Sequence, residues 1–166
     1  MSREYQQLME LLASGTAEQL EALSHEVPGF PHGVDDLVNR RWIVNAVGSG
    51  SKLCVQWMLE KGVNLNLRDE EGYTPLHVAI ERNASDRYEV LELLLRAGAP
   101  INLKGINDWT PAHMAAARDD VEALRILVRY GADLSIRTDI DDYATPLEEA
   151  RNLGKVNAAT YLESVV

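Results

Sequence analysis

Cysteine and phenylalanine each occur once in these 166 residues, as Cys54 and Phe30. A single thiol closes no internal disulfide and supplies no cysteine-rich zinc site. Cys54 lies in the apolar helical pattern KLCVQWML, where the expectation is a small buried hydrophobe rather than a reactive thiol. Positive charge is also short: 16 Lys and Arg stand against 26 Asp and Glu, a formal net charge of −10. That balance argues against a nucleic-acid backbone as partner, because phosphate binding needs clustered cations. It argues equally against an anionic membrane surface. No apolar run approaches the roughly 18 residues of a membrane helix. The opening MSREYQQLMELLASG carries Arg3 and Glu4 early and has no apolar core of signal-peptide length. A cytoplasmic location is expected.

Motifs of catalysis are missing as well. VGSGSKL at 47–53 has a serine after Gly50 where a phosphate loop needs Gly-Lys-Ser/Thr, so it reads as a turn between helices. There is no His-Glu-x-x-His, and His25, His32, His77 and His113 are far apart in sequence. The serines lack a nucleophile elbow. DIDD at 139–142 lacks the calcium-loop pattern and reads as a solvated acidic tip. The expectation is a protein without metal, cofactor or small-molecule substrate, and not an enzyme.

What the chain does have is a period. Thr74, Thr110 and Thr145 each precede a proline, with spacings of 36 and 35 residues. Gly62, Gly98 and Gly131 recur at 36 and 33. Between each Thr-Pro and the next glycine lie two patterns with apolar residues three and four apart, each an amphipathic helix. Thr is a good N-cap, proline is tolerated at the first helical position, and glycine suits the residue just past the helix end. A period near 33 with paired helices is a solenoid pattern.

The phrases TPLHVAI…EVLELLLRAGAPIN and TPAHMAAA…VEALRILVRYGADLS resemble the ankyrin repeat, and the resemblance covers nearly the whole chain. It implies an all-α repeat solenoid of helix pairs with projecting β-hairpin fingers, stacked as a curved slab. The divisions are an N-terminal cap over 1–33, a degenerate repeat over 34–66 lacking Thr-Pro-Leu-His, repeats over 67–102 and 103–135, and a C-terminal cap over 136–166, where Glu148 replaces the histidine. His77 and His113 share one place in successive units. The resemblance gives them a structural role with Thr74, Thr110, Gly98 and Gly131, bonding to backbone near the finger base. Two irregularities fall in loops: three extra residues between the helices of 67–102, in ERNASDRYEV, and a finger two residues longer at IRTDIDDYA.

The resemblance also implies a protein partner on the concave face, across finger tips and the exposed side of each first helix. Register then names Arg40, Tyr73, Asn107, Trp109 and Tyr143 on the fingers, the finger-tip acids Glu70, Glu71, Asp141 and Asp142, and Glu81, Arg82 and Arg118 on the first helices. Arg82 and Arg118 each stand eight residues past their threonine and so are expected to form one basic floor. For Tyr73 and Trp109, packing against the finger base competes with a contact role. For the acids, ordinary solubility competes. The expected function is inhibition or sequestration of one partner protein, possible partners including one with a basic surface, in the manner of an immunity protein. An adaptor joining two proteins is the alternative.

Overall fold

The computed structural model describes residues 3–35, 39–140 and 143–166. Among these, helices come in consecutive pairs: α1 (Arg3–Ser14) and α2 (Ala17–Glu26), α3 (Trp42–Ser49) and α4 (Lys52–Glu60), α5 (Pro75–Glu81) and α6 (Arg87–Arg96), α7 (Pro111–Ala117) and α8 (Val121–Arg129), α9 (Pro146–Asn152) and α10 (Val156–Glu163). First helices pack in one row, α1 on α3, α3 on α5, α5 on α7 and α7 on α9. Second helices form the parallel row α2, α4, α6, α8, α10. The chain is thus an all-α solenoid with its core between the rows, where Leu20, Met58, Leu91, Leu94, Leu124, Leu127 and Leu162 are buried.

Helices of seven to ten residues are too short to persist alone, so their ends and their packing must hold them. Thr74 and Thr145 accept the backbone N–H of His77 and Glu148 through their hydroxyls, at 3.4 and 3.3 Å. Pro75, Pro111 and Pro146 each open the helix that follows. Gly98 and Gly131 leave α6 and α8 at φ +86°, a left-handed turn that costs glycine nothing. Cys54 is fully buried in α4, and that burial pushes its thiol pKa up to about 12.

The β-hairpins expected of the fingers are not confirmed. Among the described residues there is no strand, only an isolated antiparallel bridge between Val34 and Arg41. Each finger is a turn held by a few main-chain bonds. The N–H groups of Asp69, Gly105 and Thr138 donate to the carbonyls of Tyr73, Trp109 and Ala144 at 2.9, 2.7 and 3.0 Å. Neighbouring fingers are joined by side chains instead of ladders: Arg40 to Asp69 at 3.1 Å, and Lys104 to Asp139 at 2.6 Å.

Candidate functional site

Two buried histidines fix where the fingers stand. His77 occupies the third position of α5. Its Nε2 lies 3.0 Å from the carbonyl of Trp109 in the next finger, and its Nδ1 lies 2.7 Å from the Thr74 hydroxyl. A carbonyl only accepts, so Nε2 carries the proton and Nδ1 accepts from Thr74. Burial drives the His77 pKa down to about 4 and keeps the ring neutral. His113 repeats the arrangement, with Nε2 3.0 Å from the Ala144 carbonyl and Nδ1 2.8 Å from the Thr110 hydroxyl. Burial lowers its pKa as well. In the last unit Glu148 makes the reciprocal capping contact, accepting from the Thr145 N–H at 2.8 Å, and its carboxylate also takes both Arg137 Nη groups, at 2.7 and 3.1 Å. An imidazole has a second nitrogen to reach the next finger. Gly105 leaves room for it, since a Cβ there would fall 2.7 Å from His77 Cε1 and from the Gly72 carbonyl.

Between fingers and first helices runs a groove with two clefts. The second, of about 350 Å³, gathers Tyr73, Glu81, Asn107, Trp109 and Arg118 with Ile106, Met114, Ala117, Leu153 and Lys155. Tyr73 and Trp109 are half-buried against the core, so packing and exposure coexist in both. Burial, together with the Glu81, Glu71 and Asp69 charges, holds the pKa of the Tyr73 phenol above the ordinary value. Glu81 also meets Arg118 at 3.4 Å, a loose pair across consecutive helices. Asn107 adopts φ 54°, the left-handed conformation that Asn tolerates better than most residues. The first cleft, of about 370 Å³, is polar. It brings Arg40, Glu70 and Glu71 together with Tyr5, Met9, Asn39, Asn45, Ser49 and Asp69. Asn39 donates to the Glu70 carboxylate.

Arg82 departs from its expected place. It is 6% exposed and does not join Arg118 in a basic floor. Its Nη1 and Nη2 donate to the carbonyls of Val47 and Gly50 at 2.8 Å each, and its Nε pairs with Asp86 at 2.9 Å. The cause is the three-residue insertion. The backbone at Arg118 stays helical (φ −90°, ψ 0°), whereas at Arg82 it is extended (φ −51°, ψ 124°), and the side chain turns inward onto the end of α3. Tyr143 is 59% exposed and lines neither cleft. Asp141 and Asp142 lie outside the described residues.

Leu153 was accessible to the rule that named Arg118, because it too stands eight residues past its threonine. Met114, Ala117 and Ile106 carry no such signal, since apolar residues on a first helix or finger read equally well as core. Among the described residues no cluster of three His, Cys, Asp or Glu could hold a metal, and no helix is long and apolar enough to cross a membrane. The groove offers aromatic and aliphatic contact surface with charged edges, which suits recognition of another polypeptide.

A family model described as ankyrin repeats in three copies matches residues 8–105 and, in a second placement, residues 84–164. An ankyrin repeat protein of Acanthamoeba polyphaga mimivirus is 48% identical over 42 residues, which is 25% of this chain and 9% of that protein. The chain therefore matches only a small part of that relative's length.

Proposed function

The chain belongs to the ankyrin-repeat family, whose repeats are protein–protein interaction modules, and on that premise we propose that it binds a partner protein along the groove between its fingers and first helices. The observation that carries this is the convergence of Tyr73 and Trp109 over Met114 and Leu153 in one cleft. Aromatic side chains bury large areas with few torsions to freeze, and anchors of this kind dominate interface energies. A stack held finger to finger is already ordered, so little conformational entropy is lost on binding. That rigidity favours inhibition or sequestration of a single partner by occlusion. An adaptor needs a second surface; at the inserted loop Arg82 and Asp86 pair with each other, and the exposed Asn83, Ala84 and Ser85 are what it would have to use.

The test is capture from the native cell with wild type and the Tyr73→Ala/Trp109→Ala pair side by side. One stoichiometric partner retained by wild type is expected to lose at least about 2 kcal/mol of affinity in the pair. Equal capture by both baits places the interface on another face. If the captured partner is an enzyme, loss of its activity on binding separates inhibition from tethering.

A further inference from the structure

The two clefts carry opposite charge. Glu70 and Glu71 stand at the first against Arg40, whose guanidinium is already paired with Asp69 at 3.1 Å. In the second, Arg118 and Lys155 stand with the single acid Glu81, which Arg118 meets at 3.4 Å and which leaves Lys155 as the surplus cation. Tyr73 links the clefts, since it lines the second and its N–H donates to the Asp69 carboxylate of the first at 2.7 Å. A groove with an acidic end, an apolar centre and a cationic end is complementary to a segment of the reverse order.

We propose that the groove holds an extended partner segment in one orientation, its basic end over Glu70 and Glu71, an apolar side chain between Tyr73 and Trp109, and an acidic end at Arg118 and Lys155. This rests on the groove being the partner surface. The chain is acidic overall, with a net charge of −10, so long-range attraction alone favours any basic partner. The cationic end is what selects among them. A uniformly basic segment places like charges against Arg118 and Lys155, and such juxtaposition rejects wrong partners more than matched pairs add affinity.

The test uses two fluorescent peptides of identical composition. One has two lysines at one end, Leu-Trp-Leu at the centre and two glutamates at the other; its control has one lysine and one glutamate at each end. Wild type is expected to bind the segregated peptide about fivefold tighter, a difference that shrinks as salt rises. E70K/E71K and R118E/K155E each make both ends of the groove alike and are expected to remove the preference. Combining all four inverts the groove and is expected to restore it, because the peptide binds turned around. Equal binding of both peptides by wild type, or failure of the fourfold variant to recover, overturns the proposal. If the peptides show no preference while cellular capture still depends on Tyr73 and Trp109, the orientation fails and the groove reading stands. If capture is also independent of them, both fail.

Discussion

Where the α5–α6 pair meets the α7–α8 pair, a neutral histidine crosses from one unit to the next. Where the α3–α4 pair meets the α5–α6 pair, none does. Val44 is buried at the third position of α3, the place His77 holds in α5. No side chain caps α3, and Trp42 replaces the proline at its start. The tie at this junction comes from the other direction and the other end of the helices. Arg82 reaches back from the second unit to the carbonyls that end α3. Arg40 adds a link at the finger. Beneath them Phe30 packs edge-on to Trp42 and stacks on Trp57, with ring centroids 5.4 and 5.7 Å apart. Each unit of a solenoid contacts only its neighbours, so every junction must be satisfied locally. The chemistry that does so is interchangeable, and its response to conditions is not.

The largest effect is expected at the arginine junction. Arg82→Ala leaves the Val47 and Gly50 carbonyls without their donor and Asp86 without its cation, and should cost about 3–5 kcal/mol in urea unfolding. Hydrogen exchange should show α1–α4 opening before the rest. Global loss with no such order would mean that the junctions are not independent.

Acid should act on the other kind of junction. The His77 pKa falls from 6.5 to about 4 on folding. Between those values the unfolded chain binds the extra proton, so stability is full above about pH 6.5 and lost as pH falls toward 4. The gap corresponds to about 3 kcal/mol. Arginine does not titrate in this range. Unfolding measured between about pH 7 and pH 4.5 should therefore weaken wild type, and His77→Asn should flatten the slope. An unchanged slope would remove His77 as its source. Glu148 and Asp119 stay ionised below the usual carboxylate range, chiefly through the Thr145 and Ala158 N–H groups. Their contributions fade only at lower pH.

His113→Ala should cost about 1–3 kcal/mol, through the buried Ala144 carbonyl, left with the Thr138 N–H alone, and the Thr110 hydroxyl, which loses its acceptor. The C-terminal pair α9 and α10 should fray first, and a coincident melting curve would deny the link. Arg40→Ala is the smallest, at under about 1 kcal/mol, because the Arg40 side chain remains 36% exposed. A larger loss would move weight from Arg82 to the finger.

Much of this architecture was readable beforehand. Thr74, Thr110 and Thr145, the prolines after them and the glycines that end the units fixed the helix boundaries, because caps and turns are local requirements met by local residues. The same register named Tyr73, Glu81, Asn107, Trp109 and Arg118, and these line one cleft. It misplaced Arg82 because register assumes an unbroken helix end. The β-hairpin fingers implied by the resemblance are not confirmed: among the described residues the fingers carry turns, a few backbone bonds and ion pairs, and no strand.

By itself, then, the sequence determined the repeat and the helix ends, which follow from contacts within a few residues, while the role of His77 and His113 came from the resemblance, because their joints reach carbonyls in the next finger. Only the tertiary structure decided that Arg82 turns inward while Arg118 stays at the groove, and that the groove is acidic at one end and cationic at the other. Both depend on side chains from different repeats. A backbone torsion at one insertion set the first, and the stacking of fingers far apart in sequence set the second.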